Sequence, residues 1–137
     1  LLHPDGNSPY NYRTDLDIDT AGNKWVCTGE AELLRINGNQ VKYYTAPGED
    51  PISKVAIDSS GKVWAIGRQI YQLQNDMLVL KFNANFQSDL NEVNDAIFQG
   101  NKLILSDWKG NIYRYNGISL AKDSSLLIYV PTLQNAL

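Results

Sequence analysis

Residues that commonly carry enzyme chemistry are scarce in this chain. Its 137 residues include one cysteine, Cys27, and one histidine, His3. A single cysteine rules out an internal disulfide and a Cys-x-x-Cys zinc site, and a single histidine leaves little material for acid–base catalysis. The sequence also lacks the nucleophile elbow, the phosphate-binding loop, the dinucleotide-binding fingerprint and the His-Glu-x-x-His motif. We therefore expect a protein that is not an enzyme and that holds no cofactor.

The acidic residues near the start of the chain have a spacing that suits metal ligands. Three aspartates alternate there: Asp15, Asp17 and Asp19. A calcium loop of the EF-hand type needs Gly at its sixth position and Glu at its twelfth, where this chain has Thr20 and Val26. We favour an interpretation without a metal, in which Asp19 caps a turn and the other two aspartates face polar surroundings beside inward-facing Leu16 and Ile18. Calcium binding by the three aspartates stays open as the alternative.

Aromatic residues are the other candidates for function. Trp108 lies in a predicted turn, where an aromatic side chain has no obvious core to fill, and turn aromatics can line a binding face or a subunit contact. Tyr43 and Tyr44 add hydroxyl groups and stacking faces that suit a sugar. We predict these three as ligand-binding or interface residues. The alternatives are a Trp108 folded over its own hairpin and two tyrosines in a half-buried outer strand.

The chain contains an internal repeat. Its three copies cover residues 16–26, 55–65 and 96–105. The first two copies align at an offset of 39 positions, which matches Trp25 with Trp64, and the third copy has Ile104 in place of the tryptophan. A second element recurs downstream of each copy, at residues 33–38, 70–75 and 112–117. We predict that the two equivalent tryptophans pack in a core and that Cys27 is a small buried apolar residue.

Each copy is predicted to form short β-strands. Apolar and polar residues alternate, and Gly, Asn or Asp interrupts them every few residues. Turns of the pattern Asp-x-x-Gly begin at Asp19, Asp58 and Asp107; the carboxylate can accept a backbone N–H there and the glycine can take positive φ. The predicted strands fall near residues 15–18, 24–27, 33–36 and 41–44, near 54–57, 63–66, 70–73 and 78–82, and near 94–97, 103–105, 112–115 and 118–121. The short polar segment 87–96 is predicted as a loop between repeats.

A repeated four-stranded antiparallel unit of about 40 residues is typical of a β-propeller blade. The predicted fold class is all-β, with about three four-stranded antiparallel blades in an incomplete ring. The blades are placed at residues 14–45, 53–83 and 93–122, with segments 1–12 and 125–137 as parts of neighbouring blades. Because propellers close with roughly four to eight blades, we expect one of three arrangements. The chain is cut from a longer propeller, completes its ring by self-association as a homo-oligomer, or folds as an open stack.

The blade sequence resembles the two-component-regulator propeller repeat. Residues 18–29 and 57–67 are similar to its first half, in which Asp and Gly precede a Trp, and residues 112–116 are similar to its second half. The first copy departs from the pattern in Thr28-Gly29, and the third copy lacks both the Trp and the leading Asp. The resemblance implies an extracytoplasmic sensing region of a bacterial hybrid histidine kinase, periplasmic or extracellular, with a carbohydrate-derived ligand.

Charge and hydropathy narrow the class of partner. The net charge of −3 and the pI near 5.0 argue against nucleic acid, because counterion release needs a basic surface. No stretch approaches the roughly 18 uninterrupted apolar residues of a transmembrane helix, so we expect no membrane insertion of this segment. The leading hypothesis is a non-catalytic ligand-sensing or interaction module. The alternatives are a propeller-type lyase or glycosidase that uses carboxylates, and a purely structural scaffold.

Overall fold

The computed structural model describes residues 15–83, 93–107 and 109–123 of the chain. In these ranges the backbone forms β-strands and one short 3₁₀ turn, Pro47–Glu49. The strands are β1 (Asp15–Ile18), β2 (Lys24–Cys27), β3 (Glu32–Asn37), β4 (Gln40–Thr45), β5 (Ile52–Ile57), β6 (Val63–Gly67), β7 (Ile70–Gln74), β8 (Met77–Phe82), β9 (Val93–Gln99), β10 (Lys102–Asp107), β11 (Ile112–Tyr115) and β12 (Leu120–Lys122). No helix in these ranges is long and apolar enough to cross a membrane.

The strands form three four-stranded antiparallel sheets, and each strand pairs with the next one along the chain. Sheet 1 contains β1 to β4, sheet 2 contains β5 to β8, and sheet 3 contains β9 to β12. The prediction of an all-β chain with three four-stranded antiparallel units is therefore confirmed. The arrangement is that of propeller-like blades.

Most strands extend one or two residues beyond their predicted bounds, and two further differences from the sequence prediction lie in sheet 3. The strand predicted near 94–97 is confirmed as β9, but β9 already begins at Val93 and pairs with β10, so the loop predicted over 87–96 is wrong from that residue on; residues 84–92 lie outside the described ranges. The last strand was expected near 118–121 and is Leu120–Lys122. The side-chain oxygen of Asn116 accepts the backbone N–H groups of Ile118 and Ser119, each at 2.9 Å. These residues are therefore held in a turn, where they cannot pair.

The sheets pack face to face in chain order, with one apolar cluster between each neighbouring pair. Sheet 1 contributes Trp25, Cys27, Leu33, Tyr44 and the adjacent Ala46 to the first cluster, and sheet 2 contributes Ile52, Val55, Val63, Ala65, Tyr71 and Leu78. The second cluster contains Ala56, Trp64, Ile66 and Ile70 of sheet 2 with Val93, Ala96, Leu103, Leu105, Tyr113, Tyr115 and Leu120 of sheet 3. The core predicted for the two repeat tryptophans is confirmed.

Each sheet therefore has two distinct faces, which we name by their neighbours. The leading face looks toward the preceding sheet in the chain, and the trailing face looks toward the following sheet. Residues directly opposite each other on paired strands share a face, so the strand register defines each row. On the trailing faces the matching rows are Asp17–Trp25–Arg35–Lys42, Ala56–Trp64–Gln72–Val79 and Ile97–Ile104–Arg114–Ala121. This register confirms the alignment of Ile104 with the two tryptophans.

The first strands of the sheets lie beside one another. Strand β1 contacts β5, and β5 contacts β9. Between them, Lys54 Nζ lies 4.0 Å from a carboxylate oxygen of Asp15 in sheet 1 and 4.0 Å from one of Asp95 in sheet 3. The other oxygen of Asp15 accepts the backbone N–H of Val55 at 3.0 Å. These contacts connect the three sheets at their first strands.

The orientation of β1 corrects one sequence prediction. Leu16 and Ile18 were expected to face inward, but they are 56% and 55% exposed, whereas Asp15 and Asp17 are the partly buried residues of this strand. Strand neighbours alternate between faces, and the trailing face, which carries the aspartates, is the one covered by sheet 2. The two apolar residues occupy the leading face of sheet 1, the first of the three sheets.

Candidate functional site

In sheet 1 and in sheet 2, the turn that joins the first two strands holds an aspartate: Asp19 between β1 and β2, and Asp58 between β5 and β6. In sheet 1, Asp19 Oδ1 accepts the backbone N–H groups of Ala21 and Asn23, at 3.0 and 2.9 Å. Its Oδ2 accepts the indole N–H of Trp25 at 3.0 Å. In sheet 2, Asp58 accepts the indole N–H of Trp64 at the same distance. The prediction that these aspartates cap their turns is confirmed, and each cap also fixes the orientation of a core tryptophan.

The third turn repeats this geometry at a different place in its sheet. Asp107 Oδ1 accepts the backbone N–H groups of Lys109 and Asn111, both at 2.9 Å, and the hydroxyl of Tyr113 donates to Oδ2 at 3.3 Å. This turn joins β10 to β11, the second and third strands of sheet 3. The role of Tyr113 was not predicted from the sequence, although Tyr113 lies six positions after Asp107, the same spacing as between Asp19 and Trp25. This shared spacing could have identified Tyr113 from the sequence.

The hydrogen bonds to the turn aspartates together set the direction in which their pKa values shift. Burial raises the pKa of Asp19, but the hydrogen bonds from Trp25, Asn23 and Ala21 outweigh burial and hold its pKa below the ordinary range. The same balance, with Trp64, Ser60 and Lys62 as donors, lowers the pKa of Asp58. These carboxylates are therefore ionised at neutral pH and are already engaged by their own turns.

The alternating aspartates do not come together as ligands of one ion. Asp15 and Asp17 share the trailing face of sheet 1, where Asp15 bonds the backbone of Val55, while both oxygens of Asp19 are directed into its turn. Within residues 15–83, 93–107 and 109–123, no group of three or more His, Cys, Asp or Glu residues is arranged to hold a metal ion. The structure therefore gives Asp15 and Asp19 roles in joining sheets and capping a turn.

Cys27 is fully buried between sheets 1 and 2. Burial, reinforced by the negative charge of Asp15, raises the pKa of its thiol to about 12. A nucleophilic cysteine needs a depressed pKa and access to solvent. The prediction that Cys27 is a packed apolar residue is confirmed.

The two tyrosines predicted as site residues point to opposite faces of sheet 1. Tyr44 is buried against Trp25, with ring centroids 5.8 Å apart, and its hydroxyl donates to Asp76 of sheet 2 at 3.0 Å. Tyr43 is 59% exposed and lies on the leading face. The third predicted site residue, Trp108, lies outside the described residues. The structure thus places Tyr44 at the junction of two sheets and leaves Tyr43 available to a partner.

A polar cleft of about 360 Å³ lies between the capped turns of sheets 1 and 2. It is lined by Asp17, Ile18, Asp19, Thr20, Ile57, Asp58, Ser59, Ser60 and Gly61. The exposed hydroxyl of Ser59 also donates to Asn101 Oδ1 in the β9–β10 turn, at 3.0 Å. The oxygens of Asp19 and Asp58 are already bonded within their turns, and the Ser60 hydroxyl donates to Asp58 Oδ1 at 2.7 Å. The polar groups suited to a ligand are therefore mainly the exposed hydroxyls of Thr20 and Ser59.

The leading face of sheet 1 carries four of the eight large hydrophobic residues that are exposed within the described ranges. One register row on this face contains Leu16, Val26, Leu34 and Tyr43, and the next contains Ile18, Lys24, Ile36 and Val41. Within these rows, Leu16, Ile18, Val41 and Tyr43 are all about half exposed or more. Contiguous exposed apolar patches commonly mark interaction sites. This face was not predicted from the sequence, because Leu16 and Ile18 of β1 were expected to face inward.

No family model matches the chain, and the search of curated proteins finds no match. The assignment of the repeat to the two-component-regulator propeller family consequently depends on the sequence pattern alone.

Proposed function

We propose that this chain is a non-catalytic interaction module, built from propeller-like blades, that binds partners through the free faces of its end sheets. The observation that carries the proposal is the leading face of sheet 1, where two adjacent rows of mostly apolar residues cross all four strands. The equivalent row of sheet 2, Val55–Ala65–Tyr71, is buried against sheet 1. The same type of face is thus used for sheet-to-sheet packing inside this chain.

More specifically, we propose that the chain is a ligand-sensing region of a bacterial two-component system, located in the periplasm or outside the cell. Its support is the repeat resemblance together with the cleft between the turns. A volume of about 360 Å³ falls in the range of roughly 300–1,000 Å³ typical of small-molecule sites. Exposed hydroxyls of Thr20 and Ser59 could exchange hydrogen bonds with a carbohydrate-derived ligand.

The interaction role is tested with a charge placed on the free face. Tyr43→Lys puts an ammonium group among apolar neighbours, and Met77→Lys is the matched control because Met77 is 65% exposed at the β7–β8 turn. The binding of a hydrophobic fluorescent dye and the molar mass from light scattering are measured for both variants. We expect Tyr43→Lys to change at least one of the two, since the face is either open to the dye or covered by a partner. A Tyr43→Lys variant that matches the control in both measurements would refute the interaction role.

The ligand-sensing form is tested by titration with oligosaccharides and analysis of the sugar afterwards. Ser59→Ala removes a hydroxyl from the cleft, and Ser53→Ala removes one that bonds Ile66 O elsewhere, at 3.4 Å. Binding weakened by the first variant alone, with the sugar recovered intact, is the expected result. Cleavage of the sugar would instead favour the propeller-type enzyme, and equal binding by both variants would remove the cleft from the proposal.

A further inference from the structure

We infer that two copies of this chain close a ring of six sheets, in which the trailing face of sheet 3 in each copy packs on the leading face of sheet 1 in the other. The inference rests on the proposed function, since it names the partner of the same free face. It commits to a second copy of the chain as that partner.

The first half of the interface is the leading face of sheet 1. Its row Leu16–Val26–Leu34–Tyr43 corresponds by strand register to Val55–Ala65–Tyr71–Leu80 in sheet 2. In sheet 3 the corresponding row is Ala96–Leu105–Tyr113–Lys122. The first three residues of the sheet 2 and sheet 3 rows are buried against the preceding sheet. Only in sheet 1 does this row have no preceding sheet within the described residues.

The second half of the interface is the trailing face of sheet 3. Its row begins with Ile97 and Ile104, and Ile104 holds the place that Trp25 and Trp64 occupy on the two covered trailing faces. Ile97 is 57% exposed. A shallow depression of about 130 Å³ runs along this face, lined mainly by apolar residues that include Ile97, Ile104 and Ile112. The row continues with Arg114 and Ala121, so the face is apolar over its first two strands, and it lacks a following sheet in the described ranges.

The internal packing shows how these two faces can fit together. Sheet 1 meets sheet 2, and sheet 2 meets sheet 3, each time trailing face against leading face. A contact between sheet 3 of one copy and sheet 1 of another continues this rule without a new kind of interface. Such a head-to-tail contact gives a closed assembly when the rotation between copies closes the ring.

The number of sheets selects the dimer. Propellers close with roughly four to eight blades. The described residues form three sheets per copy, so two copies supply six sheets, whereas the three described sheets of one copy are too few and the nine of three copies are too many. A net charge of −3 per copy gives little long-range repulsion against association. The two contacts in the ring form together, so each stabilises the other through its effective concentration.

Light scattering after size exclusion of the 137-residue chain tests this inference. We expect a dimer, twice the 15.4 kDa of one chain. Leu16→Lys charges the leading face, Ile97→Lys charges the trailing face, and Met77→Lys is the control away from both. Each face variant should raise the dissociation constant at least roughly 100-fold. A lysine buried without a partner in the interface is expected to weaken binding by two or more factors of ten. The control should leave it unchanged, and far-UV circular dichroism should show the same β-structure in all three variants.

Mixing the two face variants tests which faces are in contact in the dimer. The trailing face of Leu16→Lys and the leading face of Ile97→Lys are both intact, so a one-to-one mixture should recover a weak heterodimer that neither variant forms alone. A dimer disrupted by Leu16→Lys but not by Ile97→Lys joins like faces and overturns the inference. Assemblies that keep growing with concentration also overturn it, since the contact then fails to close.

A monomeric wild-type chain would refute the inference that a second copy is the partner. Dye binding then decides whether the proposed interaction function still holds. A monomer whose dye fluorescence falls in Leu16→Lys still has an open interaction face, so the proposed function stands. A monomer that binds no dye covers the face with its own residues, and both proposals fail.

Discussion

Replacing Asp58 with Asn tests whether the turn carboxylate holds its blade together. Oδ1 accepts backbone N–H groups from Ser60 and Lys62 at 2.9 and 3.0 Å, and Oδ2 accepts the indole N–H of Trp64 at 3.0 Å. Asn can keep the first set of acceptor contacts with its carbonyl oxygen. Its amide nitrogen then faces the indole N–H, so that two donors oppose each other.

The magnitude follows from the loss of a charge-assisted hydrogen bond. Bonds to charged groups contribute about 1.5–3 kcal/mol, and a buried donor left without an acceptor costs about 1–3 kcal/mol. Trp64 is buried but Asp58 is only partly buried, so we expect a loss near the lower end, about 1.5 kcal/mol. With a urea m-value of about 1.5 kcal/mol per molar, this loss lowers the unfolding midpoint by about 1 M.

A double-mutant cycle with Trp64→Phe assigns this loss to the carboxylate–indole pair. Each single variant removes the bond, so the double variant should be less destabilised than the sum by about 1 kcal/mol, within the range of roughly 0.5–3 kcal/mol found for residues in contact. Asp95→Asn is the control, because its side chain is 66% exposed and lies 4.0 Å from Lys54. The control should cost under about 0.5 kcal/mol. Additive effects in the cycle would refute the role assigned to the pair.

The destabilisation caused by Asp58→Asn should also depend on pH. Hydrogen bonds outweigh burial and lower the pKa of Asp58 in the folded chain, so the carboxylate contributes stability above its unfolded pKa of about 3.9 and loses that contribution as the pH falls through its folded pKa. The difference in unfolding free energy between wild type and Asp58→Asn should therefore be constant above about pH 5 and shrink at lower pH. A difference that stays constant down to pH 3 would contradict the assignment.

Three further predictions concern stability and reactivity. Gly67→Ala should destabilise the chain more than Gly61→Ala in urea unfolding, because a Cβ at Gly67 would lie 1.9 Å from a backbone carbonyl oxygen, whereas a Cβ at Gly61 meets open space and only the positive φ of +84° is unfavourable. We expect a loss of about 3 kcal/mol for Gly67→Ala and about 1 kcal/mol for Gly61→Ala, and equal unfolding midpoints would contradict this. Iodoacetamide at pH 8 should leave Cys27 unmodified in the native chain and modify it in urea, since burial raises the pKa of the thiol to about 12; rapid native labelling, read by mass spectrometry, would show that the thiol is accessible. Tyr71→Phe should cost about 1–2 kcal/mol, because it removes a buried hydroxyl that lies 2.9 Å from an Asp50 oxygen, and an unchanged midpoint would show that this bond contributes nothing.

Local chemistry made much of the fold predictable. Strands such as Lys24–Cys27 and Ile112–Tyr115 lie at or within a residue of the predicted positions, because alternating apolar residues and Asp-x-x-Gly turns act over a few neighbouring residues. The copies at an offset of 39 predicted that Trp25 and Trp64 share one role, and each donates its indole N–H to the aspartate six positions earlier. Sequence alone thus determined the sheets, their turns and their internal repetition.

Which face of each sheet is covered depended on the tertiary structure. By repeat equivalence Leu16 should be as buried as Val55, yet Leu16 is 56% exposed and Val55 is 3% exposed. The strand pattern is the same in both copies, but Val55 lies on a face that packs against sheet 1, whereas Leu16 lies on the leading face of sheet 1, which has no preceding sheet within the described residues. The same geometry separates Tyr43 from Tyr44, adjacent in sequence and on opposite faces. Periodicity fixes the alternation of faces along a strand, whereas the packing of distant segments decides which of those faces meets water.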